Sequence, residues 1–591
     1  MKPKRTSAAK ALVDILERER VEVVFGVPGG PVLPLYDALS AHPAIRLVLT
    51  RHEQAAAYSA FAYARVSGRL GVCVATLGPG ATNLLAGLPV AYASACPVLA
   101  LTGQVQTTGF ARSAHQESTG WFRTPDQERM FAGTCKHTAT CMDASRFPDF
   151  VRHSIRIAYA GRPGPAHLIL PANLLHQQVA YVPLEPRQYR LVDHQPCDER
   201  AVEEIAHRLA AARFPIVLCG ERATMPDTGA EVTQLSERHA IPVATDLAAK
   251  SVVDELSPLY LGCVGVLAHR AAEQYIKHHA DVVLAVGQTF NEISTLSWDP
   301  AFAEGRDLIQ IDMDPEEIGK VYPAASGTAG HLPAILRRLA EHLDRLTMAD
   351  GQERRRVVSE LRARYPLFDA PEMRSDKVPL LPQRVAAELR GAVPERALVL
   401  SDSSKWNRWL ARFFPSRRGD FVTAHDYEPM GWAVAGAIGA SFAVGDRPVV
   451  CVSGDGAFMM NGLEVATAVQ YRRNVTWVVM NDSRFGIIYD LQKGLYGGRT
   501  SCSEYRNPDL VQFGASCGAR ARRIETPGAL STHLGEAIAA GGPAVLDVRF
   551  DADEIPPVRP RSLLITRAMG LPDPTPGPEV TRAMIKLLRD R

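Results

Sequence analysis

The sequence predicts an α/β fold built of three doubly wound parallel sheets. Short β-branched runs alternate with longer segments of helical apolar spacing along most of the 591 residues, the pattern of parallel sheets with helices on both faces. Several of those runs end in glycine-rich turns, and the carboxyl ends of strands are where open α/β sheets bind ligands. The length allows three or four domains of ordinary size.

The first unit spans residues 1–180. Ala11, Leu12, Ile15 and Leu16 predict a helix over 7–20. Val23, Val24, Phe25 and Val27 form a strand that stops at Pro28, Gly29 and Gly30. A strand over 45–49 leads into Arg51, His52, Glu53 and Gln54, which open an alanine-rich helix. A strand over 71–76 ends at Leu77, Gly78, Pro79 and Gly80, followed by a helix over 81–93 and a strand over 98–102. Residues 178–200 are polar and contain prolines, and read as a linker. The second unit, 200–346, has strands over 215–219, 282–286 and 308–311. A charged helical connection with Pro366, Pro371 and Pro379 leads to the third unit, 381–552. A proline-rich and then helical tail, 553–591, follows, either a cover for another surface or a mobile end.

Composition narrows the function. Hydrophobic residues at 46% and charged residues at 22% are ordinary for a soluble globular protein. A formal charge of +2 gives no reason to expect nucleic acid as a partner. Arg354, Arg355 and Arg356 read as a solvated helix face. The ten cysteines are scattered, with no Cys-x-x-Cys pair, so neither a zinc site nor a disulfide framework is expected. Several lie in apolar strands as small hydrophobes, which fits a reducing cytoplasm. No signal peptide or bilayer-spanning run is read from the sequence.

The chemistry concentrates in residues 449–486. Val449, Val450 and Val452 form a strand that ends at Gly454, Asp455 and Gly456. A helical segment over 458–470 follows, and then a strand of Val475, Trp477, Val478 and Val479 that ends at Asn481 and Asp482. This βαβ unit sets two carboxylates at the carboxyl ends of neighbouring parallel strands, beside a helix N-terminus that favours anions. Such a pair calls for a hard cation, most simply Mg²⁺ holding a diphosphate. The bland alternative, a nucleotide-binding-like turn with incidental acids, is weakened by Asp482, which closes the next strand 27 positions after Asp455.

Gly-Asp-Gly, a helix and strand, and then Asn-Asp resembles the thiamine diphosphate motif, and the run from Gly454 to Thr467 is similar to the acetolactate synthase group of that superfamily. The resemblance covers nearly the whole chain. It implies pyrimidine-binding, central and diphosphate-binding domains in that order. It also implies a homodimer or homotetramer, with the cofactor between the first unit of one subunit and the third unit of another.

The same resemblance assigns roles by position. Glu53, in the run Arg51-His52-Glu53-Gln54, would bond the cofactor pyrimidine and share its proton, which needs a poorly solvated carboxylate; taken alone, Glu53 is an ordinary first-turn helix carboxylate. Asp455, Asp482 and the carbonyl of Arg484 would ligate Mg²⁺. Gly454, Gly456, Ala457, Phe458 and Gly486 would border the diphosphate. Ser403 and Ser404 would contact it, or simply cap a helix. Gly30 would line the thiazolium side. Met430 would support the bent cofactor and Glu428 would offer its carbonyl, with a buried core methionine as the alternative for Met430. Gln116 matches an active-site glutamine. His115 is either an acid/base or a loop histidine, and Lys136 either meets an anionic substrate or is a surface lysine. The loop over 117–130 is longer than usual.

The family pattern breaks in two places. Flavin-bearing members carry Gly-x-Arg-Phe-Asp-Asp-Arg in the central domain; here Thr289 and Ile293 replace the two arginines and keep neither charge nor donor fork. FAD is therefore not expected. A tryptophan that selects the acceptor aligns with Leu491. The implied activity is decarboxylation of a 2-oxo acid, pyruvate being the simplest, with carboligation of the retained fragment to a second carbonyl. A non-ligating decarboxylase and a non-catalytic binding paralogue stand as alternatives.

Overall fold

The computed structural model describes residues 4–192, 197–349 and 351–557. The tail expected over 553–591 thus lies, from residue 558 on, outside the described residues. The architecture is three six-stranded α/β sheets, and the chain divides into two compact units.

The first unit comprises residues 1–195, 426–447 and 461–475. Its sheet has the order Arg46–Leu49, Val23–Gly26, Gly71–Ala75, Val98–Gln104, Pro165–Pro171, His137–Thr140, with parallel pairing throughout. The segment read as a linker begins with a strand: Gln178–Tyr181 pairs antiparallel with Lys4–Ser7. The helix expected over 81–93 is two, Pro79–Leu84 and Leu88–Ala93. They part at Gly87, where a Cβ would lie 2.5 Å from that of Ala57.

Helix Glu53–Ser67 is buried from Ala55 to Ala64, which a run of alanines and two tyrosines allows on every face. Its neighbour is Trp432–Ala443, another helix without a polar face. Close approach needs small residues at the crossing. A Cβ on Gly439 would sit 1.9 Å from the Ser59 carbonyl oxygen, and one on Gly436 would sit 3.2 Å from the Ala62 Cβ. The Ser59 hydroxyl donates to the Ala435 carbonyl at 3.0 Å, and Phe61 meets Trp432 edge to face at 5.6 Å.

The second unit comprises residues 196–425, 448–460 and 476–591 and holds the other two sheets. The central sheet runs Tyr260–Cys263, Val243–Thr245, Pro215–Cys219, Val282–Val286, Asp307–Asp312, Ser326–Ala329. The last runs Phe421–Val422, Leu398–Ser401, Val449–Gly454, Val475–Met480, Ala544–Val548, Arg520–Ile524. In each of the three sheets the first strands are laid down to one side and the next to the other, parting between the second or third strand and its neighbour. That leaves a crevice at the carboxyl ends of two adjacent strands. Among the described residues no helix is long and apolar enough to cross a membrane, and none of the ten cysteines is in a disulfide.

The crossing at Gly439 predicts a stability defect. Gly439→Ala drives a methyl group into the Ser59 carbonyl, and should cost at least about 2 kcal/mol, seen as an earlier midpoint in urea; a midpoint equal to wild type would mean that the two helices do not pack this closely.

Candidate active site

At the crevice of the last sheet, strand Val449–Gly454 delivers Asp455 as the first residue of helix Asp455–Asn461. The helix expected over 458–470 breaks after Asn461 and resumes as Glu464–Gln470. Asp455 is buried, with three donors on its carboxylate: the Tyr505 hydroxyl on Oδ1 at 3.0 Å, and the Ser483 N–H at 2.8 Å and the Asn507 amide at 2.5 Å on Oδ2. The Tyr505 hydroxyl also reaches the Arg484 carbonyl at 3.2 Å. Two of the three predicted ligand oxygens therefore lie within reach of the same Tyr505 hydroxyl. The Arg484 side chain turns away, to Asp553 at 3.0 Å and onto the Tyr489 ring. Gly456 has no room for a side chain, since a Cβ would lie 2.7 Å from the Tyr505 hydroxyl and 2.8 Å from the Phe485 ring.

Asp482 completes the set. Burial, and then the neighbouring Asp455 charge, push its carboxyl up to about 7, against the pull of Lys405 and the Arg484 N–H. Burial also raises Asp455 despite its donors. A buried and a half-buried carboxylate, the first holding the second's charge back, beside the Arg484 carbonyl, form a donor set that suits a hard divalent cation. Mg²⁺ fits these residues.

Around this pair, Ser403 is buried and its hydroxyl has no partner among the described residues. Ser404 takes the capping role: its oxygen accepts the Trp406 N–H at 3.1 Å. Ala457 and Phe458 are core residues, with Phe458 edge-on to Phe513. Gly454 borders Ser404, and a Cβ on Gly486 would lie 3.3 Å from both the Asp482 carboxylate and the Lys405 side chain. Sequence reasoning missed Lys405, which is buried and paired with Asp490 at 2.9 Å. It also missed Tyr505 and Asn507, whose segment carries no motif and lies 50 or more positions from Asp455.

The first unit holds the other predicted residues. Glu53 opens its helix half-buried, and its Oε2 accepts the Asn83 amide at 2.9 Å. Gly80 flanks it, with a Cβ position 3.1 Å from the Glu53 Oε1. Gly30 begins a short 3₁₀ turn, and a Cβ there would meet nothing within 4 Å. Gln116 is exposed, at φ +60°, and its backbone abuts Gly78, whose Cβ would lie 3.2 Å from it. Its loop is stapled by Glu117, also missed from sequence, which accepts the Ala111 N–H at 2.7 Å, the Thr119 hydroxyl at 2.7 Å and the Ala114 N–H at 3.2 Å. His115 is exposed beside it. A cavity of about 380 Å³ lies under the long loop, walled by Phe110, Trp121 and Met142 on one side and Gln104, Ser118 and Asp126 on the other. Met430 is half-buried rather than a core methionine, and Glu428 sits at φ +50°, an uncommon strain for a residue with a side chain.

Lys136 requires a correction. Its ammonium donates to the carbonyls of Ile157, Ala160 and Arg162 at 2.8, 2.6 and 2.6 Å. It caps the end of helix Phe147–Tyr159, where a cation meets unpaired carbonyls, and is not placed to receive a substrate anion.

The central crevice differs. Strands Pro215–Cys219 and Val282–Val286 end there in Gly220 and Gly287, and the loops that follow bond to each other: Gly220 N–H to Val286 carbonyl at 3.0 Å, and Arg222 N–H to Gly287 carbonyl at 3.2 Å. A Cβ on Gly220 would lie 2.5 Å from the Gly287 carbonyl oxygen and the Gln288 Cα. Arg222 lies buried across the gap, its guanidinium on Asp312 at 3.1 Å and on Glu317 at 2.9 Å. The chain's own loops and side chains thus bridge this crevice.

Comparison with known proteins agrees with this layout. Residues 6–130, 202–339 and 402–548 match the family models for the thiamine pyrophosphate enzyme N-terminal TPP binding domain, central domain and C-terminal TPP binding domain. The probable acetolactate synthase large subunit of Methanococcus aeolicus is 33% identical over 92% of each chain. That of Methanocaldococcus jannaschii is 34% identical over 93% of each. The acetolactate synthase isozyme 1 large subunit of Escherichia coli is 28% identical over 96% of this chain and 98% of its own.

Replacing Arg222 by Met would leave Asp312 buried without its cation and Glu317 with Lys320 alone. A loss of roughly 3–5 kcal/mol is expected, read from the urea midpoint; an unchanged midpoint would mean that the crevice is open to water and the triad solvated.

Proposed function

The chain belongs to the thiamine pyrophosphate enzyme family, in its acetolactate synthase group, and on that premise we propose that it decarboxylates a 2-oxo acid and joins the retained fragment to a second carbonyl. As a member it is an enzyme, which removes the non-catalytic alternative. The observation that carries the reading is the pairing of buried Asp455 with half-buried Asp482 beside the Arg484 carbonyl, a donor set at neighbouring strand ends that would hold a cation and its diphosphate.

When bound, the thiamine diphosphate supplies a thiazolium that accepts the electron pair left by departing CO₂. The chain's residues bind and orient. Asp455, Asp482 and the Arg484 carbonyl would hold Mg²⁺, and the free Ser403 hydroxyl and the Lys405 ammonium would face the phosphates. Glu53 would hold the pyrimidine proton, kept in register by Asn83. Met430 and the strained Glu428 carbonyl would support the ring side, and Gly30 leaves space for it. Gln116 would orient the substrate carbonyl. His115 is retained only as the residue to watch if the product is an aldehyde.

The filled central crevice favours an enzyme without FAD. The exposed apolar side chains of Met459, Met460 and Leu463, directly behind Asp455 in sequence, favour a second copy as their cover, in line with a homodimer or homotetramer. Ten free cysteines fit a reducing compartment.

Incubating the protein with thiamine diphosphate, Mg²⁺ and a panel of 2-oxo acids, pyruvate first, should give acetolactate or another acyloin by mass spectrometry. Aldehyde alone would select the decarboxylase instead. Glu53→Gln should lower kcat by about 10²–10⁴-fold with an unchanged circular dichroism spectrum; near-normal turnover would sink the cofactor assignment.

A further inference from the structure

Glu464 is a buried acid that the proposed chemistry does not use. It opens helix Glu464–Gln470 and is 1% exposed. Its Oε1 accepts the backbone N–H of Arg51 at 2.8 Å, and its Oε2 accepts the Thr467 hydroxyl at 2.7 Å. The same stretch grips the same turn twice more. The Tyr471 oxygen accepts the Leu49 N–H at 2.8 Å, and the Gln470 side-chain oxygen accepts the Arg51 guanidinium at 2.7 Å. All these residues lie in the first unit.

The Arg51 N–H lies past the last strand residue, Leu49, and before the first helical one, Glu53, so neither ladder nor helix supplies it with an acceptor. Below it, the Thr50 hydroxyl donates to the His52 carbonyl at 3.0 Å, and His52 caps the helix through its Nδ1, which accepts the Gln54 N–H at 3.1 Å. Burial pushes the Glu464 carboxyl up to about 7, against the Thr467 hydroxyl and the N–H groups of Arg51 and His52. An apolar side chain would fill this space without the cost of desolvating an acid. What an apolar side chain could not supply is the acceptor.

We propose that Glu464 is a positioning residue, which holds the turn from Arg51 to Glu53 by its backbone and thereby sets where the Glu53 carboxylate stands. This rests on Glu53 being the proton-sharing carboxylate, as proposed above. The turn is pinned from a helix 413 positions away in the chain, and a carboxylate that must meet one ring nitrogen tolerates little drift: a displacement of about 1 Å can cost about 10²-fold in rate.

Glu464→Met keeps the shape and removes the acceptor; Glu464→Gln keeps the acceptor and removes the charge. Amide exchange by mass spectrometry on peptides covering Arg51 and His52 should be about tenfold faster in Glu464→Met than in wild type. With thiamine diphosphate and Mg²⁺ bound, its kcat should fall about 30–100-fold while KM for the 2-oxo acid stays within about threefold. Glu464→Gln should return both readings to within about fivefold of wild type. Wild-type exchange and kcat in Glu464→Met would overturn the proposal, and so would a Glu464→Gln as impaired as Glu464→Met, because charge rather than the acceptor would then be what matters. If Glu464→Met does not fold, the wild type still decides: fast exchange at the Arg51 amide is incompatible with the contact. The exchange arm is read whether or not the protein turns over a 2-oxo acid, so its failure and that of the proposed activity are separable.

Discussion

Two carboxylates set side by side at neighbouring strand ends, one buried and one half-buried, are the constraint on which this molecule turns. Parallel neighbours in a sheet end at the same edge, so the βαβ unit brings Asp455 and Asp482 together with no freedom to avoid it. The chain then commits a serine N–H, a tyrosine hydroxyl and an asparagine amide to Asp455, and gives Asp482 the Arg484 N–H and the field of Lys405. The crowding round Asp455 also explains local sequence: Gly456 cannot carry a side chain because Tyr505 must come over it, and the Arg484 carbonyl meets the Tyr505 hydroxyl while its side chain is anchored elsewhere.

The fold was legible because its signal is periodic. Every strand named from sequence exists, with ends shifted by a residue or two. Errors came where local periodicity continues across a real break. The helices expected over 81–93 and 458–470 each split; at the first, Gly87 must pass close to another helix. The short strand Gln178–Tyr181 was invisible because its partner is the far end of the domain, Lys4–Ser7.

The site was legible only where its residues sit in motifs at strand ends. Asp455, Asp482 and Glu53 could be named. Tyr505, Asn507, Lys405 and Glu464 could not, because each acts on a residue distant in the chain, and no spacing rule links them. Lys136 shows the converse: a residue type suited to anions, next to the expected turn, is consumed by three carbonyls at a helix end that sequence did not bring near it.

Each sheet has a crevice where its strand order parts, though the central sheet's order differs from that of the other two, and the crevices are furnished differently. At the first, a Cβ on Gly30 would meet nothing, so space is left. At the last, Asp455 and Asp482 stand at neighbouring strand ends, and the buried Ser403 hydroxyl has no partner among the described residues. At the central one, Gly220 would clash at 2.5 Å and a buried arginine spans the opening to two acids. An open crevice exposes strand-end amides and a helix terminus and needs a ligand to satisfy them. A filled one satisfies them from within and gains rigidity instead. At the central crevice the loops after Pro215–Cys219 and Val282–Val286 bond to each other and Arg222 pairs with Asp312 and Glu317, so its polar groups are met by the chain itself.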